Sequence, residues 1–392
     1  MASMSTDRCP VCRQQSVRPL LDLGEGPVFC NVQWSSREEA LRATRGPIKL
    51  YSCTACGHTY NAAFDPARVA YAPGYENSQH FSAVFRSYAE RLVDRLIDAY
   101  GVRGRAVVDI GCGRGDLLAL ICERGANRGF GFDPSYAGAP AGDDDRKFTI
   151  SREYFNVSHA AAIKPGLVCC RHVLEHVEDP VVFLREIRQM LAAAPNSVLY
   201  LEVPNGEHLL TAGGLWDYLY EHVSHFSMRS LHAAFEAAGF EVLRLTADFG
   251  GQFLCADVRP STVAQAGAAA PAPVVDFANA SAALQGKLTH WRRWADEART
   301  RNRPVSLWGA GSKGVMFLNL LDLMAPQPVD WIIDQNPGKH GRFVSGTGQR
   351  IDAPALLVDS GVRQIVLMNE IYQHEVRAQL AQQGLEIELL IA

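Results

Sequence analysis

Ala106-Val-Val-Asp-Ile-Gly-Cys-Gly-Arg-Gly-Asp116 decides how this chain is read. A β-branched run ends in glycines at 111, 113 and 115, and Leu117, Leu118 and Ile121 follow at helical spacing. The run predicts a buried parallel strand over Ala106 to Ile110, and the spacing predicts an amphipathic helix behind it. Glycine has no Cβ, so such a turn lets backbone approach a nucleotide closely. A second short strand is expected over Arg128-Gly-Phe-Gly-Phe-Asp133, ending in an acid 20 residues beyond Gly113. A carboxylate at that strand tip stands where a ribose diol is hydrogen-bonded.

Asp109-x-Gly-x-Gly-x-Gly115 followed by Asp133 one strand later resembles class I S-adenosylmethionine-dependent methyltransferases. The glycine spacing differs from the dinucleotide fingerprint. S-adenosylmethionine has no pyrophosphate, so the loop must embrace a methionyl group and a ribose instead of an anion. The resemblance implies S-adenosyl-L-methionine as cofactor, held by Asp109, Gly111, Cys112, Gly113, Gly115, Asp133 and Pro134, with His172 from a later loop.

At 392 residues the chain is long enough for two or three domains. Hydrophobic residues at 47% with charged residues at 20% describe a folded, soluble protein. A net charge of −4 argues against a broad nucleic-acid-binding face, though not against a local one, and the partner expected is a small-molecule substrate, with the oligomeric state left open. The amino-terminal stretch has no apolar core of the signal-peptide kind, and no long uncharged apolar run follows. The expectation is a cytoplasmic protein without a membrane span.

Ten cysteines in such a chain are thiols or metal ligands rather than disulfides. Cys9-Pro-Val-Cys12 and Cys53-Thr-Ala-Cys56 form two CxxC knuckles, which together complete a tetrahedral site. The expected ion is a structural Zn2+, since four thiolates leave no open position for catalysis. A redox pair and a nucleic-acid-binding ribbon are the alternatives. Cys30 is expected to be a packed thiol and His58 a loop residue.

Residues 1–68 are read as this zinc module, with a strand around Ile48 to Ser52. A tyrosine-rich lead-in, Val69 to Ser82, precedes a helix on which Phe81, Val84, Phe85, Tyr88, Leu92, Leu96 and Tyr100 form an apolar stripe. Tyr71, Tyr75 and Ser78 are candidates for a cofactor lid, and Asn77 or Ser78 for a turn cap. The methyltransferase domain is expected over 69–262. Leu167 to Cys170 is its next strand, Asp179-Pro180 opens a helix, and Ser197 to Val203 is another strand. Ser227 caps a helix from Met228 to Ala238 that Gly239 ends, and Phe240 to Thr246 and Gln252 to Val258 complete a doubly wound α/β sheet. Ligands collect at the carboxyl ends of such strands, which places His172, Glu175, His176 and Pro204-Asn205 around one pocket. Leu215 to Ser227 crowds tyrosines, an acid and two histidines into one loop. There Glu221-His222 can set a carboxylate beside an imidazole and raise its basicity. His225 is read as a surface or packed residue.

An Ala/Pro-rich linker over 260–275 and a helix from Asp276 to Arg301 follow, and the connecting segment is bounded at 263–303. A smaller Rossmann-like α/β domain, 304–392, follows. Pro304-Val-Ser-Leu-Trp-Gly-Ala-Gly-Ser-Lys-Gly314 is a second strand and glycine turn, and Trp331 to Asp334, Gln364 to Asn369 and Glu386 to Ile391 are its further strands. Gly309, Gly311, Lys313 and Asp334 suit a phosphate-bearing substrate, because backbone N–H groups and a lysine converge at a helix start. A glycine turn kept for packing is the alternative.

The order of these parts resembles the sugar C-methyltransferases of antibiotic and deoxysugar pathways over nearly the whole chain. That resemblance implies methylation at C3 of a nucleotide-linked 4-keto-6-deoxysugar. It also implies His222 of the Glu221-His222 pair as general base, His176 near the substrate, and Tyr75, or else Tyr71, as the lead-in tyrosine. His176 or Tyr220 could then donate to the enolate. Two positions depart from the family: Leu219 stands where a tyrosine is usual, between Tyr218 and Tyr220, and His172 stands where Asn is common. An O- or N-methyltransferase of another small metabolite, a zinc-ribbon RNA-binding protein and a non-catalytic S-adenosylmethionine sensor are the rival readings.

Overall fold

A computed structural model describes residues 7–69, 75–76, 78–136, 138, 147–156, 163–191, 194, 196–211, 213–261, 277–301, 304–324 and 329–392. Tyr71, Asn77 and the Ala/Pro-rich stretch lie outside the described residues. Three sheets organise the rest.

The amino-terminal sheet pairs β1 (Val17–Pro27), β2 (Arg45–Cys53) and β3 (Thr59–Asn61) in antiparallel register, with Tyr51 opposite both Pro19 and Tyr60. β2 runs further at both ends than the Ile48–Ser52 expected. It delivers Cys53 to the second knuckle, which turns through Gly57 at φ +76°.

The central sheet contains β4 (Ala106–Ile110), β5 (Arg128–Phe132), β6 (Phe148–Ser151), β7 (Leu167–Arg171) and β8 (Val198–Pro204), all parallel. A short strand, β9 (Ser224–His225), leaves this domain to pair with β3 and becomes the fourth strand of the first sheet. Then β10 (Phe240–Asp248) and β11 (Phe253–Pro260) close the central sheet, in the order β10-β11-β8-β7-β4-β5-β6. β11 runs antiparallel to both neighbours. This is the class I methyltransferase arrangement, a Rossmann-like sheet with one reversed strand.

Local signals work here as expected. Ser227 caps Met228–Ala238 with a full capping box, and Gly239 ends the helix in the left-handed region. The side chain of Asp179 accepts from the Val182 amide ahead of the helix Pro180–Leu191. The helix Ala83–Tyr100 starts at Ser82, whose hydroxyl accepts from the Phe85 amide. It buries Phe85, Tyr88, Leu92 and Leu96 against the sheet, each contributing about 1.5–3 kcal/mol. Phe81 precedes the cap and is 37% exposed, so the apolar stripe begins one turn later than the sequence suggested.

The carboxy-terminal sheet has β12 (Val305–Trp308), β13 (Val329–Ile333), β14 (Ile351–Asp352), β15 (Gln364–Leu367) and β16 (Glu388–Ile391), all parallel, in the order β14-β13-β12-β15-β16. The helix Phe277–Arg301 contributes Leu284 and Trp291 to a core shared with β1, the 3-10 turn Leu215–Asp217 and the helix Ser312–Leu320. Among the described residues no helix is long and apolar enough to cross a membrane.

Candidate active site

The carboxyl ends of β4, β5, β7 and β8 share one edge of the central sheet, and the loops there carry the first glycine turn, Asp133, His172 and His176. Gly111, Gly113 and Gly115 have φ of +70°, +55° and +84°, a region that L side chains seldom adopt. A Cβ on Gly111 would stand 2.2 Å from Val173 Cγ2, and one on Gly115 would stand 2.7 Å from Ile150 Cδ1. The turn is thus shaped by close approach, and it fits a bulky cofactor lying over bare backbone. Asp133 at the tip of β5 holds the turn: its Oδ2 accepts from the Gly113 amide at 2.8 Å, and its Oδ1 accepts from the Ser135 amide and hydroxyl. Asp109 is buried beneath the turn, where loss of water pushes its carboxyl up to about 7 while Arg171 opposes the shift. Cys112 sits within the turn, and burial pushes its thiol up.

The loop after β7 carries Arg171, His172, Glu175 and His176. Glu202, in the middle of an apolar strand, is a buried hub for it. Its carboxylate accepts from Arg171 Nε and Nη2 at 3.0 and 2.7 Å and from the Tyr200 hydroxyl at 2.6 Å, and Tyr88 also donates to it. His172 bridges two carboxylates, with Nδ1 3.3 Å from Glu175 Oε1 and Nε2 3.0 Å from Glu202 Oε1. Burial disfavours its charged form, but the bonds and charges of Glu175 and Glu202 outweigh that and hold its pKa up to about 9. His172 therefore belongs to a buried charge network as well as to the cofactor edge.

His176 and His222 lie edge to face with ring centroids 4.8 Å apart. Nδ1–H of His176 donates to the Glu221 carbonyl at 2.9 Å. The carboxylate of Glu221 turns away from His222, its neighbour in the chain. Oε1 accepts from the Cys30 amide at 3.1 Å and Oε2 from the Tyr75 hydroxyl at 2.9 Å. The chain bends at Tyr220 and Glu221, and the Glu221 carboxylate is taken by Cys30 and Tyr75, so it does not partner His222 as the sequence reading expected. Burial pushes the Glu221 carboxyl up. Burial and the surrounding imidazoles of His176, His225 and His172 push His222 well down, so it is unprotonated at neutral pH. Its Nδ1 is buried without a partner.

Tyr220 is not brought to this group. Its ring packs on Gly46 and Phe64, and its hydroxyl bonds the backbone of Asp65, accepting from the amide at 2.9 Å. His225 is buried in β9 with Tyr218 edge-on at 4.8 Å.

The lead-in joins the two glycine-turn domains. Ser78 donates to Asp116, and Glu76 accepts from Arg114 of the first glycine turn at 3.3 Å and from Asn336 beyond β13 at 3.1 Å. Further on, Ser82 donates to Glu375 at 2.6 Å. A cleft lined by Asn31, Ser78, Gly309, Lys313, Asp334 and Asn369 runs between the lead-in and the second glycine turn. Asn31 also donates to the Tyr75 hydroxyl, which links the cleft wall to the Tyr75–Glu221 pair.

The second turn repeats the device of the first. Asp334 Oδ2 accepts from the Ala310 amide, and Oδ1 accepts from the Asn336 amide, both at 2.8 Å. The buried Lys339 ammonium, which no sequence pattern signalled, donates to the Ala310 carbonyl and lies 3.4 Å from Asp334. Lys313 spans to the central domain, with Asp217 and Gln252 each 3.1 Å from its ammonium.

At the amino-terminal knuckles, Cys9 lies 3.6 Å from Cys56 and Cys12 lies 3.6 Å from Cys53 between sulfurs, and all four sulfurs are within 4.8 Å of one another. A Zn–S bond of about 2.3 Å gives tetrahedral edges of about 3.8 Å, so spacing and donor set fit Zn2+. Cys30 is a packed thiol, 1% exposed. His58 is fully buried between β2 and β3 and shares no ligand cluster with the four sulfurs.

Comparison with known proteins follows this anatomy. Residues 81–245 match a methyltransferase domain, and residues 263–386 match a C-methyltransferase C-terminal domain. The C-methyltransferase NovU of Streptomyces niveus is 27% identical over 252 residues, 62% of this chain and 59% of the relative. Among solved structures, the 1,6-didemethyltoxoflavin-N1-methyltransferase of Burkholderia thailandensis, with bound S-adenosylhomocysteine, is 16% identical. It covers 47% of this chain and 92% of its own, with a TM-score of 0.33. The mitomycin 7-O-methyltransferase MmcR is 20% identical, covering 46% of this chain and 55% of its own with a TM-score of 0.34.

Fold and matched model make residues 81–245 a class I S-adenosylmethionine-dependent methyltransferase domain. A C-methyltransferase C-terminal domain follows it over residues 263–386.

Proposed function

We propose that the chain transfers a methyl group to a carbon next to a carbonyl, C3 of a nucleotide-linked 4-keto-6-deoxysugar, with His222 as general base. The observation that carries this reading is the cleft between the lead-in and the second glycine turn, whose wall residue Asn31 donates to the Tyr75 hydroxyl that in turn holds Glu221. A substrate with a reactive sugar at one end and a phosphate-bearing carrier at the other suits that shape, the carrier lying on Gly309, Gly311 and Lys313 near Asp334.

S-adenosylmethionine, when bound on the first glycine turn, supplies an electrophilic methyl on a sulfonium. The chain's own residues must generate the carbon nucleophile. His222, kept unprotonated by burial, takes the proton from the carbon beside the ketone, and the electron pair of that C–H bond passes into the enolate. Tyr75 gives its hydroxyl hydrogen to the Glu221 carboxylate and His176 gives its Nδ1–H to the Glu221 carbonyl, so both side chains are held on the segment that carries His222. Holding donor and acceptor in contact turns the transfer into an effectively unimolecular step. The four cysteines hold a structural Zn2+ that fixes the first sheet, and through β9 the backbone beside His222.

The test is incubation with methyl-labelled S-adenosylmethionine and a panel of nucleotide-linked 4-keto-6-deoxysugars, with the product resolved by NMR. Label on C3 is the expected result. Label on oxygen or nitrogen, or on a metabolite without a nucleotide, would displace the reading.

A further inference from the structure

Glu175 lies in the single 3-10 turn Leu174–His176, and the residue is 1% exposed. Its Oε1 faces His172 Nδ1 at 3.3 Å, while Oε2 is buried without a partner. One carboxylate oxygen of Glu175 and one ring nitrogen each of His176 and His222 lie within 4.8 Å of one another. With Oε1 committed to His172, Oε2 is the oxygen left for the two imidazoles.

The arrangement upstream of Glu175 is over-determined. His172 holds φ at +52°, unusual for a residue with a side chain, and reaches Glu175 with one nitrogen and Glu202 with the other. Glu202 is fixed in turn by Arg171, Tyr200 and Tyr88. Two cations, Arg171 and His172, balance two carboxylates, Glu175 and Glu202. An acceptor lone pair buried without a donor is unfavourable. That situation ends if the facing imidazole acquires a second N–H.

We infer that Glu175, rather than the neighbouring Glu221, is the carboxylate that supports His222 as a base, and that His172 fixes its orientation. Both are positioning residues, and the inference rests on His222 being the base. In the step, the substrate C–H bond breaks, its proton goes to one ring nitrogen of His222, and its electron pair remains on the substrate as the enolate. The other nitrogen presents N–H to Glu175, and no proton passes to the carboxylate. Glu221 is left free to hold Tyr75.

His222 faces His176, His225, His172 and Glu175, with the His176 ring edge to face at 4.8 Å. The experiment is NMR titration of the labelled imidazoles in the full chain, comparing wild type with Glu175→Gln and Glu175→Asp. Calorimetric binding of S-adenosylmethionine serves as the control for folding. In Glu175→Gln the protonation midpoint of His222 should fall by about one unit, a tenfold weaker proton affinity. Glu175→Asp should recover part of that loss, with donor affinity unchanged in both variants. If Glu175→Gln fails to bind the donor, Glu175→Asp carries the test, with a midpoint below wild type expected. A midpoint equal to wild type in the folded variants would overturn the role of Glu175 and leave the base assignment standing. Loss of the base assignment would show separately, as substrate-proton exchange that survives in His222→Ala.

Discussion

The Tyr75 hydroxyl donates to Glu221 Oε2 across 2.9 Å, although 146 residues separate the two. The bond ties the lead-in that crosses both glycine-turn domains to the loop that carries His222. It also gives a buried carboxylate one of its two partners, the Cys30 amide being the other.

Tyr75→Phe removes that donor and leaves the fold's apolar contacts in place. A hydrogen bond to a charged group contributes about 1.5–3 kcal/mol, so turnover should fall on the order of tenfold or more. S-adenosylmethionine affinity, measured by calorimetry, should be unchanged, because the first glycine turn does not use Tyr75. An equal loss in both would mean that Tyr75 only orders the lead-in.

His172 is charged up to about pH 9 in the folded chain, against about 6.5 when unfolded. A raised folded pKa stabilises fully below about pH 6.5 and is lost as pH climbs through 9. The difference is on the order of 3 kcal/mol for this buried group. Thermal melts between pH 6.5 and pH 10 should show a steeper decline in wild type than in His172→Asn. Parallel pH profiles would contradict the bridging of Glu175 and Glu202 by an imidazolium.

Zinc removal should reach the active site through β9. That strand starts two residues after His222 and pairs with β3, which follows the second knuckle directly. Metal analysis should give about one zinc per chain, and Cys53→Ser should lower both melting temperature and turnover. A metal-free protein with full activity would remove this coupling.

Lys313→Ala deletes the ammonium that spans from the second glycine turn to Asp217 and Gln252. The expected effect is a KM for the nucleotide-bearing substrate raised about tenfold, with donor affinity unmoved. An unchanged KM would assign Lys313 to joining the two domains alone.

What was legible in the sequence was local. Ser227 and Gly239 bound their helix as capping chemistry requires, and Asp179-Pro180 opens another. The alternation of β-branched and glycine residues over 106–116 predicted the strand and turn that carry the cofactor edge. What escaped depends on partners far away in the chain. Tyr220 looked like a donor but follows Asp65, 155 residues earlier, away from the site. Glu221 looked like the partner of His222 but reaches Cys30 and Tyr75. The two residues of β9 are too few to carry a periodic pattern and form a strand only because β3 offers an edge. Glu202 did leave a trace, as a lone acid inside Leu199-Tyr-Leu-Glu-Val203, where a buried charge requires a partner.

The most direct test of the account is solvent-deuterium exchange into a nucleotide-linked 4-keto-6-deoxysugar without methyl donor, followed by NMR at C3. Wild type should wash deuterium into C3, and His222→Ala, folded and still binding S-adenosylmethionine, should do so slower by at least about a hundredfold. Exchange at C3 that proceeds at the wild-type rate in His222→Ala would contradict His222 as the base.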